Sequence, residues 1–362
     1  SSKNYLQYFS TSFFVTFVGI LLGFGLGWYY EGTWSGALST TFIVAVLGIL
    51  EISLSFDNAV VNATVLKDMT PKWQHRFLTW GIAIAVFGMR FIFPLMIVGV
   101  VARLTPWDAL ILAATQPDEY ARIMLSVHIS VASFGGTFLL LVAMRYFFDH
   151  QKAVHWIPFL ESPASRLGKI EAFEVVGALF VLLITCKFLP DPKSMEFLVA
   201  GLWGVITFIC IDSIEGFLKL PDSTANSQEP DSPPTNQKME HKSGRAMERV
   251  SVGIFIYLEV LDASFSFDGV VGAFAITNNL FIIALGLGIG AMYVRSLTIM
   301  LVEKGTLAEF RFLEHGAFYA VGVLAALMYA GCFVEVPEVL TGLLGLLFIG
   351  LSLASSVFYN KK

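Results

Sequence analysis

Long apolar segments recur along the whole chain, and they constrain its fold more than any other feature. An α-helix needs about 20 predominantly apolar residues to cross the hydrocarbon core of a bilayer. Segments of that length predict ten membrane-spanning helices, so we expect an all-α polytopic membrane protein. The predicted limits are 9–30, 37–65, 77–101, 123–147, 172–189, 196–219, 249–276, 280–302, 315–333 and 337–358.

The composition excludes the main soluble classes. Hydrophobic residues make up 56% of the chain and charged residues only 14%, whereas soluble domains have roughly 25% charged residues. No basic groove is present that could bind nucleic acid. Three cysteines, Cys186, Cys210 and Cys332, all lie in apolar segments without a CxxC motif. We therefore interpret them as structural thiols.

A polar segment divides the apolar chain in two. Residues 221–247 are rich in Pro, Ser, Asn and charge, a composition typical of disordered linkers. This predicts an N-terminal transmembrane half at 1–220 with six helices and a C-terminal half at 248–362 with four. Most Lys and Arg residues fall on the side of the termini and the linker, so these are predicted to be cytoplasmic in a bacterial-type inner membrane.

Two short segments of the chain are similar to each other. EISLSFD at 51–57 and DASFSFD at 262–268 share an initial acid, two serines, a phenylalanine and a final aspartate. Later landmarks repeat in the same order. The matched positions are Glu51 with Asp262, Ser55 with Ser266, Asp57 with Asp268, Gly81 with Gly286, Arg90 with Arg295 and His128 with His315. With the spans above, this predicts two inverted five-helix repeats, which typically hold a substrate site where they meet, near the bilayer midplane.

Acidic residues inside the predicted spans indicate a cation site. A charged side chain at the middle of a span costs roughly 2.5–3.5 kcal/mol, and only Arg90 and Arg295 offer counter-charge there. Oxygen-rich ligand sets suit Mn²⁺, Ca²⁺ and Mg²⁺. The candidate ligands are Glu51, Asp57, Asn58, Glu259, Asp262 and Asp268, with Ser55, Asn62, His128, Ser266 and His315 as supporting residues.

Helix geometry leaves two arrangements open. At about 100° per residue, Asp57 and Asp268 point away from the acids that begin their motifs. Either both helices unwind near the motifs, as the serines and Gly269 would permit, or each helix presents two polar faces. A structural alternative is that the acids pair with Arg90 and Arg295 only to fix helix packing. We interpret Asp212 and Glu215 as helix-end residues rather than ligands.

The motif segments resemble a known family. EISLSFDN (51–58) and LEVLDASFSFDGVVGAFAIT (258–277) resemble the two signature helices of TerC-type integral membrane proteins, and most closely a branch of unknown function. Supporting segments are HISVASFGGTFLL (128–140), HWIPFLE (155–161) and FLEHGAFYAVG (312–322). The resemblance implies manganese export, an association with tellurite resistance and cytoplasmic partner proteins of the ter type. Gly269 stands where the family commonly has serine.

These observations predict a divalent metal cation exporter that works by alternating access. Mn²⁺ is the favoured substrate, with Ca²⁺ or another transition metal as alternatives, and no prosthetic group is expected. Asp57 and Asp268 are the predicted central ligands. The main alternative is a membrane scaffold or metal sensor that transports nothing; a small-solute exporter fits an acidic site less well. We do not expect an enzyme, because neither aspartate lies in the GxGD motif of membrane aspartyl proteases.

Overall fold

The structure is all-helical wherever it describes the chain. It is a computed structural model that describes residues 4–81, 83–149, 151–170, 172–219 and 236–361, and no strand occurs among them. The first elements are α1 Tyr5–Tyr8, α2 Ser10–Glu31, α3 Trp34–Leu54, α4 Phe56–Leu66, α5 Pro71–Arg76, the π-helices π1 Phe77–Gly81 and π2 Ile84–Ile92, α6 Phe93–Ala102, α7 Pro106–Thr115 and α8 Pro117–Ser126. The remaining helices are α9 His128–Phe147, α10 Pro158–Leu167, α11 Phe173–Lys187, α12 Lys193–Lys219, α13 Asn236–Ala273, α14 Leu280–Glu303, α15 Thr306–Glu309, α16 Leu313–Ala330 and α17 Glu338–Asn360.

Nine helical segments of the described chain are long and apolar enough to cross a membrane. They correspond to nine of the ten predicted spans, so the all-α polytopic membrane class is confirmed. The remaining span, predicted at 172–189, corresponds to α11 with 15 residues. At 1.5 Å per residue such a helix is about 22 Å long, shorter than a hydrocarbon core of about 30 Å.

The predicted linker overlaps the start of α13. Residues 220–235 lie outside the described residues, and α13 begins at Asn236. The side chain of Glu215, interpreted above as a helix-end residue, also lies outside them. Asp212 lies about two turns before the end of α12 at Lys219, and its Oδ1 forms an ion pair with Arg145 Nη1 at 2.6 Å.

The helices differ in how deeply they are buried. In α14, 67% of the apolar window is buried inside the protein, and in α16 the share is 61%. In α2 and α17 it is only 22%, and large apolar side chains such as Phe14 and Leu347 are exposed. Exposed apolar surface of this kind suits contact with lipid. The buried helices therefore form the centre of the protein.

Glycines on α14 bring it into close contact with α3. A Cβ added at Gly286 would lie 2.6 Å from Leu47 Cβ, and one added at Gly290 would lie 2.5 Å from Glu51 Cβ. Real Cβ atoms do not approach so closely, so larger residues would force the helices apart. Small residues commonly allow such contacts between membrane helices. This packing holds Glu51 against the centre of α14.

The span between Pro71 and Ala102 is not a regular α-helix. It contains π1 and π2, and Arg90 lies in the last turn of π2. A π-helix holds more residues per turn than an α-helix and is often found at functional sites. The regular helix α6 then begins at Phe93, with Pro94 in its first turn. The irregular segment thus presents Arg90 towards the interior, where it is 2% exposed.

Candidate functional site

The two motif helices have different backbones. The first is interrupted, because α3 ends at Leu54 and α4 begins at Phe56, with Ser55 at φ −111° and ψ 10° between them. The second continues as α13 through Asp268 and Gly269 to Ala273. Of the two arrangements that the sequence left open, a local break therefore occurs at the first motif, and an unbroken helix occurs at the second. Gly269 instead allows a close approach, since a Cβ there would lie 3.3 Å from Glu51 Oε2.

Three charged side chains from both halves of the chain meet in the interior. Arg90 NH2 donates to Glu51 Oε1, and Arg90 NH1 lies 3.9 Å from Asp262 Oδ2. Asn58 Nδ2 donates to Asp262 Oδ1 at 3.1 Å. Glu51 is 1% exposed and Asp262 is 8% exposed. Two acids at matching positions of the repeats therefore share one guanidinium, and we call Glu51 and Asp262 the acid pair.

Because this cluster is buried, its charged groups are removed from water. Removing a charged group from water costs several kcal/mol, which a well-placed partner can offset. Arg90 NH1 also donates to Ala85 O at 2.6 Å, whereas its Nε has no partner among the described residues. Ser55 Oγ donates to Glu51 Oε1 at 3.2 Å. Two carboxyl groups thus face a single guanidinium in this cluster.

A small cavity beside the acid pair is lined by several buried polar atoms that have no hydrogen-bond partner in the described structure. Its volume is about 40 Å³, and we call it the interface cavity. The side chains that line it include Asn62, Arg90, Glu259, Asp262 and Arg295. Within the described part of the chain, Asn62 Oδ1, both Glu259 carboxyl oxygens and Asp262 Oδ2 are buried without a hydrogen-bond donor. Such oxygens are stabilised only by a donor or a cation.

Glu259 faces the span that carries Arg90. A Cβ added at Gly81 would lie 2.8 Å from Glu259 Oε1. Gly81 belongs to π1, so the absence of a side chain there makes room for the carboxyl group. Arg295 lines the same cavity from α14, yet its Nε has no partner and it forms no ion pair with any described residue. The two matched arginines therefore differ in their contacts.

The remaining predicted ligands lie outside the interface cavity. Asp57 is buried in the first turn of α4, where a negative charge is favoured by the helix dipole. Asp268 lines a second, larger cavity of about 670 Å³ together with His128, Glu335 and Glu338. We call this cavity the vestibule. It lies at the ends of α9 and α17 that are predicted to face the outside.

Two acids of the vestibule were missed in the sequence. Glu335 and Glu338 precede and begin α17, and acids near a helix N-terminus are so common that nothing in the pattern marked them as site residues. Glu338 Oε2 is buried without a partner among the described residues. A Cβ at Gly272 would overlap the Glu338 carboxyl group. Glu51 lies against Gly269, three residues earlier on α13, so Glu338 and Glu51 contact neighbouring turns of the same helix.

The matched histidines have unrelated surroundings. His128 lines the vestibule, while His315 Nε2 bonds to Val154 O at 2.9 Å on the opposite face of the protein. His315 lies there beside Glu161, with Nε2 3.6 Å from Glu161 Oε2. Ser266 is buried, with its hydroxyl unpartnered in the described structure. The matching of the two histidines in the sequence therefore does not predict a shared site.

Glu161 organises the HWIPFLE segment. Its partners are Lys152 Nζ at 2.9 Å, the N–H groups of Trp156 at 3.2 Å and Ile157 at 3.1 Å, and Tyr319 OH at 3.0 Å. Burial alone would raise the pKa of Glu161, but hydrogen bonds from Lys152 and the Ile157 N–H hold the pKa below its usual value. This satisfied carboxylate fastens the segment to α16.

No preformed metal cluster occurs in the described structure. Among the described residues, no group of three or more His, Cys, Asp or Glu side chains could hold a metal ion. Arg90 lies between the two acids of the acid pair, Glu51 and Asp262. The six predicted ligands are therefore divided among the acid pair, the interface cavity, the start of α4 and the vestibule.

The comparison with known families gives one match. A family profile described as "Protein of unknown function (DUF475)" matches residues 56–362, most of the chain. This chain belongs to the DUF475 family. No curated protein and no solved structure matches it.

The DUF475 segment contains most of the site. It includes Asn58, Arg90, Glu259, Asp262 and Arg295, together with the whole vestibule. Glu51 lies before the start of the match. The contact between Arg90 and Glu51 therefore joins the DUF475 segment to the helix that precedes it.

Proposed function

We propose that this protein is a divalent-cation exporter of the TerC type that carries Mn²⁺. One observation supports this above all. Four acceptor oxygens, on Asn62, Glu259 and Asp262, are buried in the interface cavity without donors from the described residues. Because a buried acceptor without a partner costs about 1–3 kcal/mol, a site of this composition favours a ligand that brings positive charge.

The kinds of donor favour a hard divalent ion. Carboxylate and amide oxygens are the ligands that Mn²⁺, Ca²⁺ and Mg²⁺ prefer. The cysteines lie elsewhere, and none lines the interface cavity. An oxyanion such as tellurite would be repelled by the acids. We therefore propose that any association with tellurite resistance is indirect.

Arg90 acts as a resident positive charge in this proposal. Its guanidinium neutralises the acid pair while no cargo is bound, and it thereby keeps the buried acids compatible with the membrane interior. An arriving cation has to displace it. This explains why the described residues hold no ready three-ligand cluster although the site is rich in acids.

In this proposal the vestibule forms the outer part of the path along which the cation leaves the protein. Glu338 lines the vestibule together with Asp268, and it packs against α13 one turn away from the contact between Gly269 and Glu51. A cation released from the acid pair would therefore meet carboxylates along the way to the predicted external face. Alternating access between the interface cavity and the vestibule is the motion that inverted repeats commonly support.

Cellular metal content tests the proposal. Cells that express the wild type, Asp262→Asn or Asp212→Asn at matched membrane levels are challenged with Mn²⁺, and all metals are measured by mass spectrometry. We expect lower manganese with the wild type and with Asp212→Asn, whose carboxylate pairs with Arg145 away from the site. Asp262→Asn should behave like the empty vector.

Two results would contradict the proposal. If wild-type cells retained as much of every metal as the empty vector, export would be excluded and the chain would act as a scaffold or sensor. If Asp262→Asn exported manganese as the wild type does, the site would be assigned wrongly.

A further inference from the structure

The matched arginines are in unequal positions around one pair of acids. Arg90 bonds to Glu51 and lies 3.9 Å from Asp262. Arg295 lines the same interface cavity as Asp262 but has no ion-pair partner among the residues described. One repeat therefore has its arginine engaged and the other has its arginine free.

The acid pair is symmetric under exchange of the repeats. Exchanging the two halves of the sequence turns Glu51 into Asp262, Asp262 into Glu51 and Arg90 into Arg295. An arrangement in which Arg295 holds both acids is thus the repeat-related counterpart of the observed one. Inverted repeats commonly produce the two access states of a transporter by exchanging their conformations in this way.

An exchange of this kind requires the segments that carry Arg90 and Arg295 to have different backbone conformations, and they do. Arg90 lies in π2, whereas Arg295 lies in the regular helix α14. Because π and α turns hold different numbers of residues, conversion of π2 to an α-helix would rotate Arg90 away from the acids without unfolding the span. The interface cavity, at about 40 Å³, has room for a few water molecules only. A second guanidinium beside Arg90 would also be repelled by the like charge of Arg90.

We propose that Arg90 and Arg295 exchange on the Glu51–Asp262 pair, and that this exchange switches the protein between its two access states. The inference rests on the proposed transport function and adds the device that gates it. In the described state Arg90 holds the acids and the vestibule is open. In the other state Arg295 holds them and the vestibule is closed.

Cysteine labelling of the vestibule tests the exchange. Thr341 lines the vestibule. The native cysteines are removed by Cys186→Ser, Cys210→Ser and Cys332→Ser, and Thr341→Cys then introduces one thiol in the vestibule. Intact cells are treated with a membrane-impermeant maleimide. We expect Arg90→Gln to slow labelling about fivefold or more, the lower end of typical conformational coupling. Arg295→Gln should label at the parent rate or faster, because only the described state remains available.

Three controls make the result decisive. Ala114→Cys, exposed on the same predicted face, should label equally in every background and shows that each variant reaches the membrane. If Arg90→Gln does not reach the membrane, Arg90→Lys and Arg295→Lys replace the glutamine variants. Lysine keeps the positive charge but lacks the planar guanidinium that can bond to two carboxylate oxygens at once. Slower labelling is then expected for Arg90→Lys alone.

The direction of the shifts decides the outcome. Slower labelling with Arg90→Gln, together with labelling at the parent rate or faster with Arg295→Gln, supports the exchange. Equal shifts in the two variants, or no slowing with Arg90→Gln, overturn it. Labelling needs no transported ion, so the supporting result in a protein that exports no metal would refute the proposed function while leaving the exchange in place.

Discussion

The first and second motif segments carry nearly the same residues but form different structures. The chain is interrupted at Ser55 in the first and is a continuous helix in the second. Three residues before each motif acid, the first repeat has Gly48 and the second has Glu259. A Cβ at Gly48 would lie 3.5 Å from Gly286 O, so two helices pack closely there. At the matching contact, Glu259 faces Gly81 beside the interface cavity.

This comparison shows that two segments with matching residues can have different packing contacts. At one of the two matching contacts, Gly48 and Gly286 let the helices pack closely together. At the other contact, the side chain of Glu259 lies against Gly81 beside the interface cavity. The pairing of Arg90 rather than Arg295 with the acids follows the same division. Substitutions at matched positions can therefore break or sharpen the comparison.

The largest difference is expected between the two arginines. Arg90→Ala leaves two buried acids without their partner and should destabilise the protein by about 3–5 kcal/mol. Arg295→Ala removes no ion pair of the described structure, so its effect should stay within about 1 kcal/mol. Thermal unfolding in detergent measures both. Equal losses of stability would show that the arginines are equivalent.

The next largest difference is expected in manganese export, between substitutions at the matched positions Glu259 and Gly48. Glu259→Gln should lower manganese export about tenfold or more, an activation cost of roughly 1.4 kcal/mol, because it removes a negative charge from the interface cavity. Stability should not fall, since no hydrogen bond of the described structure is lost. Gly48→Ala is the matched control and should export normally, because its Cβ would meet only ordinary van der Waals contacts. Export that survives Glu259→Gln would remove Glu259 from the site.

A smaller effect is expected in the vestibule. Asp268→Asn should raise the Mn²⁺ concentration for half-maximal uptake from the vestibule side about fivefold, roughly 1 kcal/mol, while the maximal rate is kept. Asp268 lines an open cavity and does not contact Arg90. Transport into proteoliposomes measures both quantities. A complete loss of the maximal rate would instead make Asp268 a central ligand, as the sequence predicted.

The smallest effect separates the matched serines. Ser55→Ala removes the hydrogen bond to Glu51 at the helix break and should cost about 0.5–1.5 kcal/mol. Ser266→Ala removes a buried hydroxyl that has no partner among the described residues, so stability should be unchanged or slightly higher. Thermal midpoints of the two variants, compared with the parent, check this order. The reverse order would mean that Ser266 has the structural role.

Much of the fold could be predicted because it depends on local composition. A span is set by the length of an apolar segment, so nine of the predicted spans correspond to membrane-length helices. The short α11 was the exception, since its apolar ends belong to the turns around it. Glu51, Asp262 and Arg90 were also identified, because charge within an apolar segment is visible in the sequence.

The grouping of those residues could not be predicted in the same way. Asp57 and Asp268 were expected to form the centre, but Asp268 lines the vestibule with Glu335 and Glu338. His128 and His315 match in the sequence and lie in different clusters. These contacts depend on which helices pack together, and helix packing is decided by residues far apart in the chain.

The sequence by itself determined that this is a polytopic membrane protein, that two of its segments carry matching motifs, and that acids lie within the apolar helices. Apolar length and charge are properties of single segments, and they survive any arrangement of the helices. Only the tertiary structure decided that Arg90 holds the acid pair and that Arg295 forms no ion pair with the residues that the structure describes. One helix break, one π-helix and a few glycines distinguish the repeats, and their effect appears only when the helices are packed together.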